Sequence, residues 1–272
     1  MSKTVVLIHG AGVTPACWDH FVWHYERRGY TCVAPAWPFA DRPVAQLRHQ
    51  PDPAFGRLTI RQIVDHHERL VRALPEPPIL IGHSFGGLFV QMLLDRGLGA
   101  AGVAIEPAPC AGVFPAPATL RQTLPMLMTW GSWSRPVSMT LSQFARSCMH
   151  LSTPAEQREA FERYVVPAPG RIYFQAGLSI GNGVDFRNDG RAPLLLLAGD
   201  EDRLVPKSMV DATFRRQRQS RALTEYRSLA GRTHFVIAVH GWQEVADVAI
   251  DWASRHARSR TGGGLTGGPS GR

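Results

Sequence analysis

The stretch ILIGHSFGG, residues 79–87, decides the fold of this 272-residue chain. Its three consecutive aliphatic residues predict a buried strand, and after Gly82 the apolar residues recur with the period of a helix. A G-x-S-x-G pattern between a strand and a helix places its serine on a sharp turn, where the flanking glycines avoid collisions with bulky side chains. The free amides and the positive dipole end of the following helix favour negative charge at that turn. The stretch therefore predicts that Ser84 is a nucleophile.

Outward from this turn, apolar strands alternate with amphipathic helices. The strands are predicted at residues 4–10, 30–34, 79–81, 101–105, 194–198 and 223–228. The helices are predicted at residues 17–28, 58–74, 82–96, 206–219 and 242–256, and the proline-containing residues 39–57 predict a loop. Fully apolar strands are typical of a parallel sheet that helices cover on both faces. The pattern therefore predicts an α/β fold with a mostly parallel central sheet flanked by helices.

Residues 107–190 interrupt this alternation. They are rich in proline at first and then in large apolar residues, namely Met126, Met128, Trp130, Trp133, Phe144 and Met149. Exposed loops rarely carry so many such groups, so we predict a helical cap over the carboxyl edge of the sheet. We expect these side chains to line a substrate pocket or to pack the cap on itself. The predicted core then comprises residues 1–106 and 191–258, and the glycine-rich residues 259–272 are predicted to be disordered.

Four motifs, in this order along the chain, resemble those of the α/β-hydrolase superfamily. The segment LIHGAG at residues 7–12 resembles the oxyanion loop of the family, and GHSFGG at residues 82–87 resembles its nucleophile elbow. The segment AGDEDRLVP at residues 198–206 is similar to the acid loop, and GRTHF at residues 231–235 is similar to the histidine loop. The resemblance covers nearly the whole chain. It implies the α/β-hydrolase fold with a helical cap and a serine hydrolase of small esters or lactones.

His234 is the candidate base, because it follows a predicted strand and precedes the last helix, where the family carries this residue. A neutral imidazole takes the serine proton during attack and returns it to the leaving group. His83 adjoins the nucleophile, but neighbouring side chains diverge on a turn of this kind, so we expect it to pack. His240 is expected to be structural or exposed.

The candidate acid follows the predicted strand at residues 194–198. In the family pattern the acid stands a few residues after the glycine and shortly before Val-Pro, which selects Asp202 over Asp200. Asp200 is expected to serve the turn of its own loop. Glu106 is the alternative acid, because some relatives carry theirs at the end of the strand after the nucleophile helix. The other role expected for Glu106 is a hydrogen bond to the hinge of the cap.

The resemblance also implies an oxyanion hole formed by the backbone amides of Ala11 and Phe85, with His9 bracing the first loop. His66 and His67 have no acidic or cysteine partner at ligand spacing, so a solvated helix face is expected rather than a metal site. The 272 residues contain no dinucleotide-binding, P-loop or zinc motif. We therefore predict no cofactor and no metal.

The composition narrows the expected partners and compartment. The net charge of +8 is dispersed, with local clusters on predicted helices, so no nucleic acid partner is expected. The sequence has no apolar stretch of about 18 residues, and no membrane partner is expected. Four cysteines without paired spacing predict reduced thiols of a cytoplasmic protein. A small-molecule substrate is the expected partner, and homodimer formation stays open.

Three hypotheses about activity follow. A serine at the elbow suits attack on a carbonyl, whereas the related dehalogenases and epoxide hydrolases use an aspartate there. The first hypothesis is hydrolysis of a carboxylic ester or lactone of an apolar small molecule through an acyl-Ser84 intermediate. The second is a C–C bond hydrolase, a lyase or a cofactor-free oxygenase that uses the same Ser-His-Asp triad. The third, a binding protein without catalysis, is disfavoured because every member of the triad has a candidate.

Overall fold

A computed structural model describes residues 2–257 of the chain, and the tail predicted at residues 259–272 lies outside them. The strands are β1 (Thr4–Ile8), β2 (Thr31–Val33), β3 (Ile79–His83), β4 (Ala101–Ile105), β5 (Pro136–Val137), β6 (Ala168–Pro169), β7 (Leu194–Gly199) and β8 (Thr224–Leu229). Six of them form one sheet in the order β2-β1-β3-β4-β7-β8, and every neighbouring pair is parallel. The short strands β5 and β6 form a separate antiparallel pair. The predicted parallel central sheet is confirmed.

Helices occupy most of the connections between the strands. They are α1 (Asp19–Glu26), α2 (Val44–His49), α3 (Ile60–Arg72), α4 (Phe85–Asp95), α5 (Pro117–Leu127), α6 (Leu141–Cys148), α7 (Pro154–Tyr164), α8 (Gly170–Gly177), α9 (Lys207–Gln217) and α10 (Trp242–His256). Within residues 2–257, none of these helices is long and apolar enough to cross a bilayer. The alternation of helices with the six sheet strands confirms the predicted α/β class.

Successive side chains of a strand point to opposite faces of a sheet, and here they build two cores. On one face, Val6 and Leu80 pack in a buried cluster with residues of α3, α4 and α9. On the other face, Val5 and Ile81 pack in a second cluster with residues of α1 and α10. Burial on both faces explains why the inner strands are apolar without interruption, since each buried apolar Å² contributes roughly 25 cal/mol.

Helix α2 lies where the sequence predicts a loop. It is only six residues long, so too few apolar side chains repeat to mark a helical period. Its Arg48 donates hydrogen bonds to the carbonyl oxygens of Val165 (2.8 Å), Phe161 (2.5 Å) and Glu162 (3.0 Å). A cation at these last carbonyls compensates the negative end of α7. Helix α2 therefore ties the end of α7 to the rest of the chain.

Residues 107–190 lie between β4 and β7 and contain α5 to α8 with the β5–β6 pair. Two backbone hydrogen bonds join this segment to the loops after β1 and β8. The amide of Val166 donates to the carbonyl of Gly12 (2.9 Å), and the amide of Phe235 donates to the carbonyl of Cys148 (3.0 Å). The exact division into core and cap stays a prediction.

Candidate active site

Five predicted site residues lie at one edge of the sheet, because each follows the carboxyl end of a parallel strand. Ala11 follows β1, Ser84 follows β3, Glu106 follows β4, Asp202 follows β7 and His234 follows β8. Open parallel sheets bind their ligands at this edge. The strand order therefore brings together side chains that are distant in the sequence.

Ser84 occupies the sharp turn between β3 and α4. Its backbone φ of 55° and ψ of −119° are angles that non-glycine residues rarely adopt. A Cβ atom on Gly86 would overlap the carbonyl oxygen of Ile8, and one on Gly82 would overlap the backbone of Gly86. Glycine is required at both positions for α4 to approach the sheet this closely. The strained turn and the two glycines match the elbow geometry that the sequence predicts for Ser84.

His234 and Asp202 form a buried hydrogen-bonded pair. The Nδ1 atom of His234 lies 2.7 Å from Oδ2 of Asp202. The other carboxylate oxygen of Asp202 accepts hydrogen bonds from the amides of Leu204 and Val205, both at 2.7 Å. Because the carboxylate accepts, Nδ1 of His234 carries the proton and Nε2 is left as the basic nitrogen. The predicted acid is thus the carboxylate that orients the predicted base.

Ser84 and His234 line the same cavity, which encloses about 1050 Å³ when counted out to its open mouth. Among residues 2–257, no hydrogen bond joins the hydroxyl of Ser84 to the imidazole of His234. Such contacts are often long in the absence of substrate and shorten when it binds. The cavity thus gives one bound molecule access to both groups.

Glu106 is a second carboxyl group beside the imidazole. It is fully buried, its backbone φ is 47°, and its Oε2 atom lies 3.6 Å from Nδ1 of His234 and 3.4 Å from Nε2 of His83. Burial raises the pKa of Glu106 well above its usual value, and the nearby charge of Asp202 raises it further. Asp202 is the closer partner of His234, and Glu106 is favoured in its neutral form.

His83 holds the backbone of the histidine loop. Its Nε2 atom donates a hydrogen bond to the carbonyl oxygen of His234 at 2.7 Å, and the two rings lie 4.8 Å apart. Burial lowers the pKa of His83 well below its usual value, so the ring is neutral. His240 is exposed and is not among the residues that line the cavity. Asp200 accepts a hydrogen bond from the amide of Gly231 at 2.6 Å and so joins the acid loop to the histidine loop.

The side chains of His83, Glu106 and His234 offer ligand atoms within 4.8 Å of one another. A metal ion would need an unprotonated nitrogen from each histidine. Nε2 of His83 donates to a carbonyl and Nδ1 of His234 donates to Asp202, so both nitrogens carry protons. The two nitrogens that face Glu106 therefore offer no lone pair to a metal.

The loop after β1 lies directly against the elbow. A Cβ atom on Gly10 would lie 2.9 Å from Cβ of Ser84, so only glycine permits this approach. Ala11 and Phe85 both line the cavity, and no hydrogen bond within residues 2–257 uses their backbone amides. The two amides predicted to form the oxyanion hole are therefore available to a ligand oxygen.

His9 braces this loop from beneath. Its Nδ1 atom donates to the carbonyl of Gly10 at 2.8 Å, and its ring stacks on Trp37 with 5.0 Å between centroids. Burial lowers the pKa of His9 to about 4, so the ring is neutral near pH 7. These contacts agree with the bracing role that the sequence predicts.

The prediction that His66 and His67 share a solvated helix face is wrong for His67. This residue is fully buried with Ile63 and Val71 on the inner face of α3, because positions four residues apart share one side of a helix. Its Nδ1 atom donates to the carbonyl of Ile63 at 2.8 Å, and burial lowers its pKa to about 3. His67 is a neutral core side chain.

A sequence model described as the alpha/beta hydrolase family matches residues 5–248. The chain belongs to the alpha/beta hydrolase family. The match includes the elbow, the acid loop and the histidine loop. No curated protein sequence matches this alpha/beta hydrolase significantly.

Solved structures of other members share the fold at low sequence identity. Polyneuridine aldehyde esterase matches with a TM-score of 0.67 and 14% identity over 93% of this chain and 100% of that chain. Tomato methylketone synthase I in complex with 2-tridecanone gives a TM-score of 0.68 and 16% identity over 94% and 99% of the two chains. A pyrethroid hydrolase from Sphingobium faniae JZ-2 gives a TM-score of 0.62 and 17% identity over 93% of this chain and 98% of that chain. These similarities show the alpha/beta-hydrolase fold.

The cavity of this alpha/beta hydrolase is lined almost entirely by apolar groups. Within residues 2–257, no Asp, Glu, Lys or Arg side chain lines it, and the polar side chains there are His83, Ser84, Thr119, Thr123, Tyr173 and His234. The hydroxyl of Thr123 donates to the carbonyl of Thr119 at 2.9 Å and so is satisfied within α5. An uncharged, apolar molecule loses least by entering such a site.

The large apolar residues of segment 107–190 divide into three groups rather than the two expected. Met126 and Phe144 line the cavity, and Met149 is buried elsewhere. Trp130, Trp133 and Met128 are exposed, and for these three the expectation of a buried role is wrong. Their positions at and after the end of α5 could not be read from composition alone.

Proposed function

We propose that this alpha/beta hydrolase cleaves a carboxylic ester or lactone of an apolar small molecule through an acyl-Ser84 intermediate. The observation that carries the proposal is the His234–Asp202 pair, at 2.7 Å, beside the apolar cavity that Ser84 also lines. A carboxylate-oriented imidazole next to a serine on a strained turn is the arrangement that acyl transfer requires.

In the proposed reaction, Nε2 of His234 removes the hydroxyl proton while Oγ of Ser84 attacks the carbonyl carbon. The amides of Ala11 and Phe85 donate hydrogen bonds to the resulting oxyanion. The bond between the carbonyl carbon and the leaving oxygen then breaks, and His234 gives its proton to the departing alkoxide. His234 then removes a proton from water, which attacks the carbonyl carbon of the acyl-enzyme; the bond from that carbon to Oγ of Ser84 breaks, His234 returns the proton to Oγ, and the acid is released.

The apolar lining supports the proposed substrate class. A charged group on a substrate would lose its hydration in this cavity, where the described part of the chain offers no side chain of opposite charge. The names of the solved neighbours point the same way, since they include an esterase, a pyrethroid hydrolase and a protein solved with the long-chain ketone 2-tridecanone. We expect medium-chain esters and alkyl lactones to be better substrates than charged ones.

The test is steady-state hydrolysis of nitrophenyl esters with acyl chains of two to ten carbons, together with alkyl lactones. We expect Ser84→Ala to lower kcat/KM by about 10⁴-fold or more, because the nucleophile is removed. Ser142→Ala, at an exposed serine on α6, is the matched control and should leave the rate unchanged. Inert esters and lactones, or equal hydrolysis by Ser84→Ala, would contradict the proposal. Turnover of another substrate class by Ser84→Ala, without an acyl-enzyme, would favour a lyase or oxygenase.

A further inference from the structure

One face of segment 107–190 carries a concentration of exposed apolar side chains. Residues 2–257 contain thirteen exposed large hydrophobic residues, and six of them lie within the twenty positions from 114 to 133. We call these six the cap patch: Phe114, Leu120, Leu124, Met128, Trp130 and Trp133. Trp130 is 80% exposed, Met128 is 75% exposed and Phe114 is 77% exposed. Exposed apolar groups that cluster in this way are typical of interaction sites, whereas single ones are ordinary surface.

The cap patch borders the cavity through α5. Leu120, Leu124 and Met128 are four residues apart along α5 and its carboxyl end, so they form one stripe. The rings of Trp130 and Trp133 contact each other with 5.5 Å between centroids. Other positions of α5, among them Thr123 and Met126, line the cavity, and Leu120 belongs to both surfaces. One helix thus separates the cavity from the patch.

The charged side chains closest in sequence to the cap patch are arginines. Residues 107–155 contain Arg121, Arg135 and Arg146 but no aspartate or glutamate. Two arginines lie against the tryptophan turn. Nε of Arg135 would be 3.2 Å from a Cβ atom on Gly131, and Nε of Arg171 donates to the carbonyl of Trp133 at 3.3 Å.

These cations are not neutralised by the protein itself. Among residues 2–257, none of the four arginines at positions 121, 135, 146 and 171 lies within 4.0 Å of a carboxylate oxygen. Arg28, Arg96 and Arg163, by contrast, form ion pairs with aspartate or glutamate. The arginines near the patch are therefore available to negative groups of a partner.

We propose that the cap patch docks on the surface of a bilayer that contains anionic lipid. The exposed tryptophans, leucines and methionine enter the boundary between headgroups and acyl chains, and the arginines pair with lipid phosphates. A second copy of the chain fits less well. A two-fold interface would place residues 114–135 against their own copy, and this stretch contains Arg121 and Arg135 but no aspartate or glutamate to pair with them. Docking requires no spanning helix, and it does not depend on the proposed ester hydrolysis.

The proposal reverses the expectation from the sequence that the protein has no membrane partner. That expectation rests on the lack of a spanning segment and on charge that is dispersed along the chain. In the structure, Arg135 and Arg171 lie against the turn that carries the exposed tryptophans, and neither lies within 4.0 Å of a carboxylate oxygen of residues 2–257. Local charge near one surface, rather than net charge, decides attraction to a lipid headgroup layer.

The experiment is co-sedimentation of the full chain with vesicles of phosphatidylcholine alone or with about 30% phosphatidylglycerol. We expect binding to the anionic vesicles and at least tenfold weaker binding to the neutral ones. Trp130→Ser should weaken the partition coefficient about tenfold. Trp23→Ser, at a tryptophan that is 57% exposed on α1, is the matched control and should leave it unchanged.

A second pair of variants tests the charge. Arg121→Gln with Arg135→Gln should lower partition to anionic vesicles about 25-fold, since each basic residue near the surface contributes about fivefold. Arg61→Gln with Arg69→Gln, at two exposed positions on α3, should have little effect. The proposal would be overturned if the two double arginine variants lost equal partition to anionic vesicles. Equal losses of partition in Trp23→Ser and Trp130→Ser would also overturn it.

Two further outcomes are decisive. If the wild-type chain fails to bind anionic vesicles, the proposal is overturned. It is also overturned if the wild-type chain binds no lipid but forms a dimer in analytical ultracentrifugation, and Trp130→Ser dissociates that dimer. Binding measured with Ser84→Ala separates docking from catalysis. Docking that persists in this variant supports the proposal whether or not any ester is hydrolysed.

Discussion

At the scale of single residues, His234 has two acidic neighbours that differ in their hydrogen bonds. The Oδ2 atom of Asp202 lies 2.7 Å from Nδ1 of His234, and its Oδ1 atom accepts hydrogen bonds from two backbone amides. Glu106 lies 3.6 Å from the same nitrogen, and burial raises its pKa well above the usual value. The amides hold the carboxylate of Asp202 in place, whereas the burial of Glu106 favours a neutral acid. Only a charged carboxylate stabilises the imidazolium that forms during catalysis.

Substitution of each carboxyl group by its amide distinguishes the two roles. We expect Asp202→Asn to lower kcat by about 10⁴-fold, because the amide favours the wrong tautomer of His234. Glu106→Gln replaces a neutral acid with a neutral amide of the same shape and should lower kcat less than tenfold. The measurement is kcat for a nitrophenyl ester at pH 8. A larger loss in Glu106→Gln than in Asp202→Asn would identify Glu106 as the acid instead.

The sequence predicts the identity of the site residues better than their surroundings. Ser84, His234 and Asp202 are candidates from the sequence because each belongs to a short motif, and their catalytic roles stay proposals. The position of Glu106 between them follows from β4 lying between β3 and β7, which is a property of strand order. The burial of His67 depends on how α3 is rotated against the sheet, and a pair of adjacent histidines carries no signal for that rotation.

At the scale of secondary-structure elements, the elbow depends on close contact between α4 and β1. Gly86→Ala would press a methyl group into the carbonyl oxygen of Ile8, and backbone atoms cannot move aside cheaply. We expect a loss of about 1–3 kcal/mol in the free energy of unfolding, measured by urea denaturation. The control is Gly177→Ala on α8, where an added Cβ atom would meet no atom of residues 2–257 within 4 Å beyond its chain neighbours and the backbone of its own helix, and it should raise stability by about 0.5–1 kcal/mol. Equal stability of the two variants would contradict this account of the elbow.

Arg48 on α2 donates hydrogen bonds to the carbonyls at the end of α7. Shortly after that end, the amide of Val166 donates to the carbonyl of Gly12 in the loop after β1. Arg48→Met keeps the apolar stem but removes the donors to three carbonyls. We expect a loss of about 1.5–3 kcal/mol in the free energy of unfolding, together with a lower kcat as the oxyanion loop loosens.

Arg69→Met, at an exposed position on α3, controls for the loss of positive charge and should change neither quantity. Unchanged stability and kcat in Arg48→Met would show that α2 does not support the site. The sequence could not predict this link, since a six-residue helix between prolines resembles a loop.

At the scale of the whole molecule, three buried histidines near the site and its supporting helices are neutral. Burial lowers the pKa of His67 to about 3 and of His9 to about 4, and it lowers that of His83 as well. The unfolded chain binds protons at these residues near pH 6.5, whereas the folded chain does not. Stability is therefore complete above pH 6.5 and falls as the pH decreases toward the folded-state values.

The prediction is that His67→Leu makes the protein less sensitive to acid. Each buried histidine contributes a slope of about 1.4 kcal/mol per pH unit below pH 6.5, and this variant removes one of them. The measurement is the free energy of unfolding in urea at several pH values between 7.5 and 5. His49→Leu, at an exposed position on α2, should keep the wild-type slope. The same slope in His67→Leu as in the wild type would contradict a neutral His67.

The succession of strands and helices along the chain follows from the hydrophobic period, and the family match over residues 5–248 agrees with it. The hydrophobic period predicts which strands and helices are buried, but it does not predict which side chains of a cap are exposed. For that reason Trp130 and Met128 are expected from the sequence to be buried, yet they are exposed beside α5. The same large apolar residue types occur in surfaces that bind a partner and in buried cores, so composition does not distinguish the two.

The central claim is that Ser84 forms an acyl-enzyme with the help of His234. The most direct test is the mass of the intact chain within the first turnover of a nitrophenyl ester, followed by peptide mapping. We predict one added acyl group on the peptide that contains Ser84 in the wild type. No added mass is expected in Ser84→Ala, and acylation should be at least 10³-fold slower in His234→Ala. An acyl group on another residue, or ester turnover by Ser84→Ala at the wild-type rate, would contradict the claim.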